Sequence, residues 1–348
     1  MVFYQDLALL GVGLLLLVIG ANFLVDSASR LAKRYGVPDF VIGLTIVAIG
    51  TSVPELAAAI SASLEGEGAF VVGNVIGSNL SNICLVLGIG AILGGIKTTR
   101  LGLRRDGYIM MGVFLTLYMF MLWGNMNWIG GLLLISVFIA YIIFLTISRD
   151  ELGTEGEFHD FVKFFVKFEY VKVIATSILG GKALFQPKRF LDKPKLAKLQ
   201  TFKDLGAIVL GIVLIVIGAE FLINGAMGLA SGLNVSTGLI GLTVVSLGTT
   251  LPEVSVSINA ARKGLGSLAL GNALGSCVTN ILLILGVATL ISPITFRWVT
   301  IAFTAPFMIL VGATLLIMMH RESIGRKGGF LLIGLYGLFM VLLLGLFA

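Results

Sequence analysis

Long apolar stretches separated by short polar segments run along most of the chain. Each stretch is long enough to cross the roughly 30 Å hydrocarbon core of a bilayer as a helix, which takes about 20 residues. The stretches are continuously apolar and do not alternate with a period of two, so they predict a helical bundle and not a membrane β-barrel. The ten predicted spans lie near residues 6–29, 39–63, 69–95, 107–124, 128–148, 204–230, 236–260, 266–291, 298–319 and 328–347.

The composition points the same way. Hydrophobic residues make up 57% of the chain and charged residues 12%, and the mean hydropathy is +1.06. Soluble domains typically carry about 25% charged residues. The sequence therefore predicts an all-α, multi-pass protein of the cell membrane, with membrane lipid as its surroundings.

Basic residues are distributed unevenly among the polar segments. If the N-terminus is outside, 23 of the 24 Lys and Arg residues fall in cytoplasmic segments, and only Arg297 falls outside. Positive charge accumulates on the cytoplasmic side of membrane proteins. We therefore expect both termini outside and a cytoplasmic central loop at residues 149–203. The net charge of +6 is then a topology signal, and no nucleic-acid partner is expected.

The central loop contains one amphipathic segment, FHDFVKFFVKFEYVKV. It places His159, Lys163, Lys167 and Lys172 near one face of a helix, with Phe and Val on the rest. Such a helix could lie on an anionic cytoplasmic leaflet. The alternative is a solvated linker with incidental helix, and the sequence leaves both open.

The chain also contains an internal sequence repeat. IGLTIVAIGTSVPE at residues 42–55 recurs as IGLTVVSLGTTLPE at residues 240–253, and GNVIGSNLSNICLVLG at 73–88 recurs as GNALGSCVTNILLILG at 271–286, always with an offset of 198. Five spans per copy is an odd number, so the copies must enter the membrane in opposite directions. We expect two inverted five-helix repeats, residues 1–148 and 204–348, flanking the central loop, an architecture common among secondary transporters.

Each copy carries one acidic residue deep in an apolar span, Glu55 in the first and Glu253 in the second. A charge in lipid is costly unless something binds it, and no basic residue lies near the middle of any predicted span. The two glutamates therefore predict a shared cation site, with one half from each copy.

Hydroxyl groups accompany both carboxylates. Thr51 and Ser52 lie within one helical turn of Glu55, and Pro54 disrupts the helix so that carbonyl groups near Ala48 to Thr51 are freed. Hydroxyl, carbonyl and carboxylate oxygens suit calcium or sodium and not soft metals. The second copy repeats the set with Ser246, Thr249, Thr250 and Glu253.

A second group of polar residues lies on the next span of each copy. Ser78 and Asn82 share one helix face, as do Ser276 and Asn280. A serine in a helix often bonds only to its own backbone, but repetition beside a buried carboxylate favours a ligand role. For the neighbouring glycines, close helix packing is at least as good an explanation.

These motifs resemble the two alpha-repeats of the calcium/cation antiporter superfamily, and most closely those of the prokaryotic sodium/calcium exchangers. The motifs are GTSVPE with GNVIGSNLSN, and GTTLPE with GNALGSCVTN. The resemblance implies ten helices, with a central site between the second, third, seventh and eighth. It also implies that calcium and sodium share Glu55 and Glu253.

The resemblance further implies roles for the surrounding oxygens. Carbonyls of Thr51 and Thr249 would complete the calcium site. Two flanking sodium sites would use Ser52 with Ser78 and Thr250 with Ser276, assisted by the carbonyls of Ala48 and Ser246.

The sequence departs from the family pattern at two places. Thr250 stands where the family usually has Ser, and Asn280 stands where several relatives, including potassium-dependent ones, have Asp. With Asn82 as its counterpart, only two carboxylates remain at the centre, which argues against potassium cotransport.

The resulting hypothesis is electrogenic sodium/calcium antiport by alternating access. Two glutamates are neutralised by one calcium ion, whereas the family stoichiometry of three sodium ions leaves one net positive charge. Calcium/proton antiport through the same glutamates is the alternative, and a gated cation channel is a weaker one. No catalytic constellation, resident cofactor or obligate protein partner is evident, and Cys84 and Cys277 are expected to be free, buried thiols.

Overall fold

In the computed structural model, the structure describes residues 2–35, 39–98, 100, 102–147, 157–179, 195–230, 242 and 246–347. The first half contains α1 (Val2–Tyr35), α2 (Asp39–Ile42), α3 (Ala48–Thr51), α4 (Val53–Leu64), α5 (Gly68–Ser81), α6 (Leu87–Leu93), β1 (Ile96–Lys97), α7 (Tyr108–Leu122), β2 (Asn125–Met126) and α8 (Trp128–Ile147). Helices α9 (Phe158–Val166) and α10 (Glu169–Leu179) follow. The second half contains α11 (Lys195–Ala230), α12 (Ser246–Arg262), α13 (Gly266–Thr279), α14 (Gly286–Ile291), β3 (Ile294–Thr295), α15 (Ala305–Met319), β4 (Ser323–Ile324) and α16 (Arg326–Phe347).

Within the described residues, five short π-helical segments join these helices or extend their ends. They are Gly43–Val47, Asn82–Val86, Gly102–Gly107, Asn280–Leu285 and Thr300–Thr304. Each adds a wide turn to a continuous helix, a feature often found at functional sites. Two of them begin at Asn82 and Asn280, which the repeat places at matching positions.

The described part of the chain is mostly helical, but it also contains short strands, so the all-α expectation is correct only in outline. The chain is a multi-pass membrane protein. Seven helices in the described part of the chain are long and apolar enough to cross a membrane, and the bent pair Phe40–Thr51 and Val53–Leu64 makes up to eight. Of the ten expected spans, the one near 107–124 contains the shorter helix α7. The one near 236–260 begins largely outside the described residues, and its remainder is α12.

Burial separates central from peripheral helices. In Gly68–Leu93 and Gly266–Ile291, 83% and 78% of the residues of the apolar window are buried, against 28% in Arg326–Gly345. Large apolar side chains such as Phe330, Ile317 and Val341 remain exposed on the peripheral helices, as expected for surfaces that face lipid. The two central spans carry the serine and asparagine motifs.

Glycines allow the central helices to cross closely. A Cβ atom on Gly77 would lie 2.5 Å from the Leu242 carbonyl oxygen, and one on Gly275 would lie 2.5 Å from the Leu44 carbonyl oxygen. Leu44 and Leu242 are equivalent under the repeat offset, so each copy's motif helix crosses the other copy in the same way. The expected close packing at these glycines is confirmed.

Two short antiparallel strand pairs link the halves. Strand β1 pairs with β4, and β2 pairs with β3. The residues of β1 and β3 are equivalent under the offset of 198, as are those of β2 and β4. Strands β1 and β2 flank a helical stretch, Gly102–Leu122, that is about 30 Å long. Equivalent loops therefore belong to different strand pairs, at opposite ends of this helix.

The amphipathic part of the central loop forms two helices. Helix α9 begins with a capping box formed by Glu157 and Asp160, and the chain turns at Phe168, whose φ is +52°. Phe161 and Phe164 are buried against the ring of Phe144, so part of the apolar face packs on α8 and not on lipid. Contact of the remaining face with an anionic leaflet stays a prediction. Pro187 and Pro194, which follow these two helices in the sequence, lie outside the described residues.

Ion pairs connect helix ends that carry basic residues. Arg30 and Arg34 of α1 contact the Asp204 carboxylate of α11 at 2.7 and 2.9 Å. Lys263, after α12, contacts Asp26 of α1. These contacts join segments that the sequence assigns to the same side of the membrane.

Candidate ion-binding site

The two motif helices differ in backbone continuity. In the first copy, α3 ends at Thr51, Ser52 adopts φ −84° and ψ 7°, and α4 begins after a bend of 42°. Pro54 cannot donate the amide hydrogen bond that would continue the helix. In the second copy, α12 runs through Pro252 without interruption. The same Pro-Glu pair therefore follows a broken helix in one copy and lies inside a continuous helix in the other.

The site is buried. Glu55 is 1% exposed and Glu253 is 0% exposed, and all of the predicted hydroxyl and amide residues around them are buried as well. No ion pair between the described residues involves either glutamate. Within the described part of the chain, these carboxylates therefore have no basic residue in ion-pair contact.

Glu253 lies in a network that crosses between the two copies, here called the Glu253 cluster. Ser52 and Ser276 each donate a hydrogen bond to Glu253 Oε1, both at 3.3 Å. The two hydroxyls also contact each other at 3.2 Å. Three predicted site residues from three helical segments therefore meet at one carboxylate oxygen.

The matching residues around Glu55, here called the Glu55 cluster, are arranged differently. Neither oxygen of Glu55 has a hydrogen-bond partner among the described residues. Thr250 donates to the Ser246 carbonyl oxygen of its own helix at 2.6 Å, and Ser78 contacts the Thr249 hydroxyl at 3.5 Å. The repeat brings the same residue types together, but no described hydroxyl has the geometry of a hydrogen bond to this carboxylate. The Thr249 hydroxyl is near enough to interact with it.

Two further contacts are symmetric. The Thr51 hydroxyl donates to the Asn272 side-chain oxygen at 3.3 Å, and the Thr249 hydroxyl donates to the Asn74 side-chain oxygen at 3.5 Å. Asn74 and Asn272 directly follow Gly73 and Gly271 in the repeated motif. The structure shows that they connect the motif helices of opposite copies.

The predicted free carbonyl groups are occupied in this structure. The Ala48 carbonyl accepts from the Ser52 amide at 3.1 Å and from the Thr51 hydroxyl at 3.3 Å. The Ser246 carbonyl accepts from the hydroxyls of Thr249 and Thr250. Each carbonyl already accepts two hydrogen bonds, so either could serve an ion only after these hydroxyls turn away.

The paired asparagines differ in their partners. Asn280 donates through Nδ2 to Asn79 Oδ1 at 3.0 Å, while its own Oδ1 has no partner. Neither polar atom of Asn82 has a partner among the described residues. Asn79 was not singled out by the motif analysis, because its repeat equivalent is Cys277 and the pair does not match.

The donor set of the site is oxygen-rich and carries two carboxylates. Within the described residues no group of three or more His, Cys, Asp or Glu side chains is arranged to hold a metal ion. Unpartnered buried oxygens on Glu55, Glu253, Asn82 and Asn280 are costly unless something satisfies them. Such oxygens match the preference of hard cations. Cys84 and Cys277 are free and buried, as expected.

Sequence comparison decides the family. The family model described as "Sodium/calcium exchanger protein" matches residues 6–147 and 203–345, which is most of both halves. The chain belongs to the sodium/calcium exchanger family. The matched ranges leave out most of the central loop.

Individual members of the family match over nearly the full length. Sodium/calcium exchanger MaX1 of Methanosarcina acetivorans is 37% identical over 95% of this chain and 96% of its own. Inner membrane protein YrbG of Escherichia coli is 31% identical over 94% of this chain and 93% of its own.

A solved structure of the sodium-calcium exchanger NCX_Mj, soaked with 2.5 mM Na+ and 10 mM Sr2+, is 27% identical. It covers 98% of this chain and 99% of its own, with a TM-score of 0.74. The relatives are exchangers or membrane proteins by name, in agreement with the transporter hypothesis.

Proposed function

We propose that this protein is an antiporter that exchanges sodium for calcium across the membrane by alternating access. The single observation that carries the proposal is the pair of buried carboxylates, one from each copy. They lie among hydroxyl and amide oxygens and form no ion pair with any described residue. Its relatives MaX1 and NCX_Mj are sodium/calcium exchangers by name. Calcium and sodium are the transported substrates.

Except for the pairing of the hydroxyls, the ligand roles are those that the family resemblance implies, and the oxygen-rich donor set is compatible with them. Glu55 and Glu253 provide the charge that calcium and sodium share, and Thr51 and Thr249 add backbone carbonyls to the calcium site. The resemblance pairs Ser52 with Ser78 and Thr250 with Ser276, but the Ser52 hydroxyl contacts that of Ser276 at 3.2 Å. We therefore assign Ser52 with Ser276 to one flanking sodium site and Ser78 with Thr250 to the other. The carbonyls of Ala48 and Ser246 assist these sites, and the amides of Asn82 and Asn280 supply oxygens beside the carboxylates.

Exchange is electrogenic if the site charge stays fixed. Two ionised glutamates are balanced by one calcium ion, so three sodium ions would leave one net positive charge. Moving that charge across 100 mV changes the free energy by about 2.3 kcal/mol. An empty site with two uncompensated carboxylates would cross the apolar interior poorly, which couples the two ion movements.

The architecture proposed for this function is ten spans in two inverted repeats. Support comes from the strand pairs: equivalent loops lie at opposite ends of Gly102–Leu122, and each pairs with a non-equivalent loop of the other copy. We accordingly divide the chain into repeats at residues 1–148 and 204–348, with a cytoplasmic loop at 149–203. Both termini lie outside in this topology, because basic residues then concentrate on the cytoplasmic side.

The test is calcium-45 uptake into proteoliposomes that contain the purified protein. An outward sodium gradient should drive uptake in potassium-free medium. In a separate assay, a potassium ionophore with a potassium gradient sets an inside-positive potential, and this potential should change the rate of uptake. Vesicles with the Glu55→Gln protein are the matched control. Uptake driven by a pH gradient alone, or uptake that needs no counter-ion, would overturn the proposal in favour of proton antiport or a channel.

A further inference from the structure

The two asparagines at the starts of the matching π-helical segments occupy equivalent positions but are held differently. Asn82 opens the segment Asn82–Val86 and Asn280 opens Asn280–Leu285. Both are almost completely buried. Asn280 donates its amide Nδ2 to Asn79 Oδ1 at 3.0 Å, whereas both polar atoms of Asn82 lack a partner among the described residues.

The difference comes from one departure from the internal repeat. The offset of 198 pairs Asn79 with Cys277, so the residue that would hold Asn82 by symmetry is a cysteine. The Cys277 thiol contacts the Asn79 backbone oxygen at 3.9 Å. A thiol is a weak donor and a weak acceptor, and it offers no counterpart to the carboxamide oxygen of Asn79.

The side chain of Asn79 also contacts a residue outside the ion-binding site. Its Nδ2 contacts Met308 Sδ of the peripheral helix α15 at 3.8 Å. With that end engaged, the oxygen end of Asn79 is left to accept the hydrogen bond from Asn280. The Asn280 amide is planar, so its own oxygen points away from Asn79 when its nitrogen is held there.

Which end of the Asn280 amide faces the site determines what that side chain can do. An oxygen facing the carboxylates adds a ligand for calcium or sodium, whereas an NH2 group facing them would donate to a glutamate and compete with the cation. An amide that is hydrogen-bonded to a neighbour has its orientation fixed before the ion binds. A free amide, such as that of Asn82, can present either end.

We propose that Asn79 is a positioning residue for cation binding, which holds the Asn280 oxygen toward Glu55 and Glu253, while Asn82, opposite Cys277, stays a ligand of adjustable orientation. This inference rests on the proposed function of the site. It predicts that Asn79 acts on the cation only through Asn280. It also makes the two amide ligands unequal although the motif gives them equal positions.

The experiment is a double-mutant cycle on calcium binding to the purified protein, measured by titration calorimetry and repeated with sodium as competitor. Asn79→Ala should weaken calcium binding about five- to tenfold, the scale of one hydrogen bond. In the Asn280→Ala background the same substitution should weaken it no further, because the group that Asn79 positions is gone. A purely structural role of Asn79 would give additive losses.

Cys277→Ala is the matched control, since it truncates the equivalent residue of the second copy. Its affinity should stay within about twofold of wild type, because the thiol holds no amide. Cys277→Asn supplies the missing carboxamide, and any effect on calcium binding should vanish when Asn82 is also replaced by alanine. If Asn79→Ala is not monodisperse, Asn79→Cys, the residue that the second copy carries, takes its place.

Three results would overturn the positioning role. These are wild-type affinity in the Asn79 variant, equal losses in the Asn79 and Cys277→Ala variants, and additive losses in the cycle. In each case wild-type protein that still binds calcium leaves the proposed exchange function intact. Wild-type protein that binds no calcium overturns both proposals.

Discussion

The Glu253 cluster and the Glu55 cluster are built from nearly the same sequence, yet among the described residues only the Glu253 carboxylate accepts hydrogen bonds from its hydroxyls. Glu253 Oε1 accepts hydrogen bonds from Ser52 and Ser276, whereas Glu55 accepts none from the described residues. A repeated motif thus fixes which groups are near a carboxylate. It does not fix which of them are hydrogen-bonded to it.

The backbone explains the difference. Ser52 lies at the break between α3 and α4, where its hydroxyl can reach across to the other copy. Thr250 lies inside the continuous helix α12, and a threonine there can satisfy itself by bonding to the carbonyl four residues earlier. Its hydroxyl does so, at 2.6 Å from the Ser246 oxygen. Helix continuity therefore accounts for the different hydrogen bonding of Ser52 and Thr250.

The largest expected effect comes from removing either charge. Glu55→Gln and Glu253→Gln should each reduce sodium-driven calcium-45 uptake to the level of protein-free vesicles, because each removes half of the site charge and one cation ligand. Size-exclusion profiles should remain monodisperse. Full loss in one variant and retained flux in the other would show that the two clusters are not parts of one site.

Serine substitutions should separate the clusters. Ser276→Ala should raise the sodium concentration for half-maximal exchange about tenfold, and Ser78→Ala about threefold, because only the Ser276 hydroxyl is already oriented by the carboxylate. Calcium affinity should change less in both, since carboxylates and carbonyls still bind it.

The measurement is calcium-45 exchange over a sodium series, with calcium titrations on the same preparations. Equal shifts in the two variants would mean that the clusters become equivalent once ions are bound. An equal loss of sodium and calcium binding would assign the serines to helix packing alone.

The smallest expected effect tests the cause of the difference. Thr250→Ser removes a methyl group that restricts the side-chain rotamer in a helix, and it should lower the sodium concentration for half-maximal exchange about twofold. Ser52→Thr should raise it by a similar factor. If neither substitution changes sodium dependence, the helix break alone sets the asymmetry.

The sequence predicted much of this site. The offset of 198 paired Glu55 with Glu253 and Ser78 with Ser276, and the structure brings all four among buried polar groups between the copies. The sequence could place these residues together because buried carboxylates in apolar spans are rare and costly. A repeat of such residues is therefore informative without any coordinates.

Reliance on the internal repeat also caused two features of the site to be missed. Asn79 was passed over because its equivalent is Cys277, although this mismatch is what separates Asn280 from Asn82. Both copies carry Pro before Glu, so the pattern predicted the same disruption twice, yet the helix breaks only in the first. Tertiary packing around each proline decides that outcome, and local sequence does not record it.

The strand pairs also bear on how the protein is made. Strand β1 at Ile96–Lys97 pairs with β4 at Ser323–Ile324, so its partner is synthesised more than half a chain later. At a translation rate of about 5–20 residues per second, β1 waits roughly ten to forty seconds with an open edge. Over the same interval the first copy holds Glu55 and Ser52 without the second copy that covers them. The first half is then an unfinished membrane protein, and its assembly is completed only when the last spans have been inserted.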